Sequence, residues 1–221
     1  MRTKKMIAVI VMLVMAVVMI FAGCEKLDPE ATISIDGKEF QLNCKVSDLT
    51  DAGLILASFG DASAAISEDQ YPTIKGREMS RELYYILTAD KVSTNVYFQA
   101  YNLDTTDASL SDCRIYCFNL DYDTYASNKG AKNKVEVKLN GVDFYFTDCN
   151  ETVNALQEKK FKFDSKEVAD FTKDDMYGKS IISADGLHGM SLSIKHDYDY
   201  EDGKVRVNGF ELTKKLDYEY K

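Results

Sequence analysis

The chain has 221 residues, 45 % of them hydrophobic, and its 27 Lys and Arg against 36 Asp and Glu give a formal net charge of −9. That balance speaks against a nucleic acid partner, because affinity for phosphate backbones comes from Lys and Arg displacing counterions, and the acidity reads as a well-solvated surface. Only two His leave little for imidazole catalysis, and the absence of Trp removes the broadest ring for stacking on sugars.

In chain order, the first feature is a leader. Arg2, Lys4 and Lys5 precede Met6 to Gly23, a run with no charge, which is the basic n-region and apolar h-region of a secretory signal peptide. The same run is just long enough to span a bilayer, so an uncleaved anchor is the second reading. Phe21-Ala22-Gly23-Cys24 resembles the lipobox of bacterial lipoproteins, with Phe at the first position where Leu is commoner. That resemblance implies diacylglyceryl on the Cys24 sulfur and cleavage before it, making 1–23 a lipoprotein signal peptide. Two acyl chains, at roughly 0.8 kcal/mol per buried CH₂, suffice to hold a protein on a membrane. The tether, 24–31, extends at most about 25 Å at roughly 3.5 Å per residue, so the body is expected outside the cytoplasm and close to the lipid surface. Without the leader, 24 Lys and Arg face 36 Asp and Glu, a net −12.

From Thr32 the pattern alternates. Ile33 and Ile35 lead into Asp36-Gly37, then Phe40 and Leu42 follow. Asp-Gly between alternating apolar residues is a hairpin signal, since both central positions of a type I′ turn need positive φ. Val46, Leu49 and Ala52 then recur at helical spacing behind Ser47, a candidate cap, and Gly53 stops the turn. TNVYFQAYNL and DCRIYCFNLDY read as two antiparallel strands joined by the acidic loop DTTDASLS. Polar 127–134 serves as a connector.

The second half starts over. Val135, Val137 and Leu139 run into Asn140-Gly141 and on to Phe144 and Phe146; Val153 and Leu156 follow the capping cluster Asp148, Asn150 and Glu151. MSLSIKHDYDY and KVRVNGFEL then form a strand pair turning at Asp202-Gly203. The apolar phase switches between Asn208 and Gly209, which predicts a β-bulge. The expected fold is therefore α+β, with two tandem hairpin–helix–antiparallel-strand units, 32–126 and 135–221, packed as one body.

Cys44, Cys113, Cys117 and Cys149 remain once Cys24 is assigned to lipid. An even number in an exported chain suggests disulfides or structural thiols. On one straight strand Cys113 and Cys117 would share a face about 13 Å apart at roughly 3.3 Å per residue, too far to bridge each other. No Cys-x-x-Cys spacing favours a metal.

Lipobox and tandem unit together, with DGKEFQLNCKVSDLTDAG, LSDCRIYCFNL and DYEDGKVRVNGFEL as signature, resemble a broad set of uncharacterised lipoproteins of low-GC Gram-positive bacteria, which implies no activity. The layout is more distantly similar to β-lactamase inhibitory protein and to small envelope-assembly lipoproteins of Gram-negative bacteria, which bind proteins on a concave sheet.

Little catalytic machinery is legible. His188 lies between glycines, and His196 falls on the apolar face of its strand. No nucleophile elbow, phosphate loop or zinc-protease helix occurs. Asp197, Asp199 and Glu201 are spaced like the first ligands of a calcium loop, but Asp202 stands where Gly is required and Asn208 where Glu is. The 14 Tyr suit sheet packing and also rigid recognition surfaces. The expectation is a non-enzymatic, cofactor-free surface lipoprotein that binds an extracytoplasmic protein or peptide or plays a structural part. A small-ligand or Ca²⁺-sensing module using Asp197, Asp199 and Glu201 is the alternative.

Overall fold

The computed structural model describes residues 31–58, 64–122, 135–159, 177–183, 190–200 and 202–214, the segment 177–183 by its backbone only. The leader, Cys24, the connector 127–134, His188 and Glu201 lie outside these residues.

Strands β1 (Thr32–Ile35) and β2 (Lys38–Gln41) are joined by Asp36 and Gly37 at φ 54° and 74°. A second hairpin, β9 (Val137–Leu139) and β10 (Val142–Asp143), turns at Asn140 and Gly141 at φ 48° and 79°. Each is followed by a helix, α1 (Val46–Asp51) and α2 (Cys149–Glu158). Helix α1 begins after Lys45, whose N–H is held at 2.8 Å by the Asp48 carboxylate, and Gly53 ends it at φ 81°. Helix α2 is capped by Asp148, which accepts from the N–H groups of Asn150 and Glu151 at 2.9 and 3.2 Å. Asp148→Ala is expected to lower stability by about 1–2 kcal/mol, with Asp148→Asn restoring most of it because an amide oxygen can still accept. Urea denaturation of the two variants checks this.

The remaining strands are β3 (Ile55–Ser58), β4 (Thr73–Ile74), β5 (Tyr84–Leu87), β6 (Ser93–Tyr101), β7 (Ala108–Ser109), β8 (Arg114–Asp121), β11 (Tyr177–Ser183), β12 (Met190–Asp199) and β13 (Lys204–Lys214). They form a four-stranded sheet in the order β10-β9-β1-β2, a seven-stranded sheet in the order β11-β12-β13-β8-β6-β5-β3, and the small pair β4-β7. All the pairings between these strands are antiparallel.

This corrects the expected α+β class. Among the described residues strand takes 49 % and helix 16 %, so the fold is β-rich rather than built from helix-containing units. The strands do not stay within one half either: β1 pairs β9, and β8 pairs β13. The physical reason is the strand edge. A hairpin leaves two rows of unpaired N–H and C=O groups, and the edges of one half are satisfied by strands of the other. Helices of six and ten residues are too short to form a layer of their own.

The apolar faces of both large sheets and both helices enter one core. Phe98, Phe118, Phe144 and Phe210 are fully buried in it, with Phe144 edge-on to Phe210 at 4.8 Å between ring centroids. Two bulges set which residues face inward. Between Lys195, paired with Gly209, and His196, paired with Val207, Asn208 is the extra residue. Between Gln99, paired with Cys117, and Ala100, paired with Ile115, Tyr116 is the extra residue. The second bulge alters the reading of the cysteines: it turns Cys113 into the core and leaves Cys117 on the opposite face of β8.

Candidate functional site

The four described cysteines are free thiols in separate surroundings. Cys113 Sγ lies 3.3 Å from the Ser109 carbonyl oxygen, and Cys117 Sγ accepts from Asn119 Nδ2 at 3.1 Å and lies 3.4 Å from Thr213 Oγ1. Burial, reinforced by Asp48, pushes the Cys44 thiol up to about 12. Burial, with Asp148 adding to it, does the same for Cys149, also to about 12, and burial with Asp112 raises Cys113 to about 11. Such thiols are poor nucleophiles at neutral pH.

These shifts have a sign that can be tested. In the folded chain Cys44, Cys113 and Cys149 stay protonated well above 9.0, where unfolded thiols are half ionised. Their contribution to stability is present below that value and is lost as pH rises through the window from 9 toward 12. The urea midpoint should therefore fall between pH about 9 and about 11. The folded protein should also react slowly with a thiol reagent near neutrality and fast once unfolded.

The acidic hairpin ties its carboxylates to nearby nitrogen groups. Asp197 Oδ2 accepts from Asn208 Nδ2 at 3.3 Å, Asp202 pairs with Arg206, and Lys204 sits 3.3 Å from Asp148. Asp199 pairs with Lys204 in the strand ladder, with Gly203 at φ 72° in the turn. Among the described residues no group of three or more His, Cys, Asp or Glu is placed to hold a metal ion. His196, on the core side of β12 opposite Val207, is buried.

The outer face of the seven-stranded sheet gathers the most recognition chemistry. Alternation along β6 sends Thr94, Val96, Phe98 and Ala100 inward and Asn95, Tyr97, Gln99 and Tyr101 outward, half-buried. Strand register then lines up rows across the sheet. Tyr85 faces Tyr97, Tyr97 faces Asn119, Asn119 faces Glu211, and Glu211 faces Ser193. The Tyr85 and Tyr97 rings meet edge-on at 5.7 Å. Tyr116 donates to Gln99 Oε1 at 2.7 Å, and Gln99 Nε2 donates to the Ser80 carbonyl at 2.8 Å.

One row away, Asp121 and Lys195 flank Gly209. Because Gly209 carries no side chain, Lys195 reaches across it to Asp121 Oδ2 at 2.7 Å, with its ammonium 5.7 Å from the Tyr97 ring centroid. Burial pulls the Lys195 ammonium down, but the hydrogen bond and charge of Asp121 outweigh it and leave the group raised. Burial also raises Tyr97. Neither group exchanges a proton near neutrality, so the cluster presents a fixed cation, a carboxylate and phenols. That is equipment for recognition by hydrogen bonds, ring contacts and cation–π attraction.

The sequence shows many tyrosines but does not by itself bring those of this face together. The alternation STNVYFQAY already puts Tyr97, Gln99 and Tyr101 on one side. Nothing local announces Lys195 or Asp121, 74 residues apart in the chain. No family model, curated protein or solved structure matches this chain.

Proposed function

We propose that the protein is an extracytoplasmic lipoprotein, held to the membrane by diacylglyceryl on Cys24, that binds another protein through the outer face of the seven-stranded sheet and catalyses no reaction. The observation that carries this reading is the half-buried array of Tyr85, Tyr97, Tyr101 and Tyr116 on that face, with the Lys195–Asp121 pair beside it. Tyr provides large, amphipathic contact area at low entropic cost. Lys195 and Tyr97, both held protonated near neutrality, suit binding better than proton transfer. The anchor rests on the lipobox-like Phe21-Ala22-Gly23-Cys24. Among the described residues no helix is long and apolar enough to cross a membrane.

The test is site-specific photo-crosslinking in intact cells, with the crosslinking residue at Tyr97 and, as control, at Glu39 on the exposed side of β2. A discrete adduct from position 97 that is absent from position 39 and weakened by Cys24→Ala supports the reading. Equal labelling from both positions, or none from either, removes it. Mass spectrometry of the native protein tests the anchor separately: an unmodified Cys24 with the leader still attached rules out the lipid.

A further inference from the structure

A pocket of about 540 Å³ opens between the β3–β5 edge of the seven-stranded sheet and the segment that carries β4. Ile66, Pro72 and Ile74 form apolar wall, and Tyr84 lines it from the first position of β5. Tyr84 is 2 % exposed, with its ring packed 5.6 Å from Phe98. Its hydroxyl makes no hydrogen bond among the described residues, and the residue borders the pocket. Burial and the nearby Glu82 push this phenol up to about 12, so it stays a neutral donor.

The rim holds two cations, Lys75 and Arg81, and two carboxylates, Glu78 and Glu82. All four are exposed, and none makes an ion pair among the described residues. Equal numbers of both signs give a simple anion or a simple cation no net attraction. A ligand with an ammonium at one end and a carboxylate at the other can use both. The volume lies in the range of small-molecule sites, and the apolar wall suits an aliphatic side chain. We infer that this pocket binds short, uncapped, aliphatic peptides, with the rim charges meeting the two termini and the Tyr84 hydroxyl donating to the peptide backbone.

The probe is trileucine, titrated calorimetrically into the full chain in detergent. Saturable binding in the millimolar range or tighter is expected, and it should disappear with N-acetyl-trileucine amide, which lacks both terminal charges. Tyr84→Phe keeps the ring and removes the donor, and should weaken binding about three- to tenfold, the effect of one hydrogen bond. Should Tyr84→Phe fail to fold, the exposed pair Arg81→Ala with Glu82→Ala serves instead, with the same direction expected. No heat from trileucine at millimolar concentration, equal binding of the capped peptide, or affinity unchanged in the variants would overturn the assignment. The sheet-face reading is untouched by any of these results.

Discussion

Gly209→Ala is expected to destabilise the protein by about 3 kcal/mol or more, well above what a surface glycine costs. An alanine Cβ at 209 would lie 2.1 Å from the Leu120 carbonyl oxygen and 2.9 Å from its carbon. Both atoms belong to the backbone of β8, the strand that β13 pairs across the seam between the two halves. A flexible side chain could swing aside; this carbonyl cannot move without opening the ladder. The same substitution would crowd the path by which Lys195 reaches Asp121, so the outer face should lose order with the core. Gly141→Asn is the control, because Gly141 has open space around its Cβ position and φ 79°, which Asn tolerates. It should change stability by no more than about 1 kcal/mol. Denaturant melts of both variants read the contrast directly, and comparable losses in the two would refute the backbone clash as the cause.

Phe210→Ala should cost about 3–5 kcal/mol, the range for emptying a buried aromatic site. Phe210 is fully buried on β13 and meets Phe144 edge-on at 4.8 Å. Phe144 lies just after β10, so this contact ties the four-stranded sheet to the seven-stranded one. A double-mutant cycle with Phe144→Leu and Phe210→Leu should return a coupling of about 0.5–1.5 kcal/mol, the ring–ring contribution beyond area burial. Additive effects in that cycle would mean the two rings merely share a core. Because the contact joins the two sheets, the loss should appear as one cooperative shift of the whole melt.

Local signals were legible in the residues themselves. Asp36-Gly37 and Asn140-Gly141 take the positive φ that their hairpins require, and the phase switch at Gly209 is a bulge with Asn208 as the extra residue. Asp148 caps α2 as its position suggests, whereas α1 is capped at Lys45 rather than Ser47, the Asp48 carboxylate reaching back to the Lys45 N–H. The bulge at Tyr116 has no glycine to mark it. Its consequence, Cys113 in the core and Cys117 on the other face, contradicts the simple spacing argument.

The candidate site divides in the same way. Alternation within β6 could have grouped Tyr97, Gln99 and Tyr101, since it depends only on neighbours in one strand. Joining Tyr85 to Tyr97, or Lys195 to Asp121, required knowing which strand lies beside which. Both expected helices form, but they are short, and it is the extent of strand pairing, invisible in any local window, that makes the fold β-rich.

The sequence by itself determined the turns, the strand alternation, the acidic composition and the change from apolar to polar pattern at Cys24, all of which are read from the residues without knowing the partners of any strand. Only the tertiary structure decided that β1 joins β9 and β8 joins β13, making one β-rich body and assembling its outer face. Backbone hydrogen bonds between strands are the same whatever the side chains, so the choice of partner is made by the packing of residues far apart in the chain.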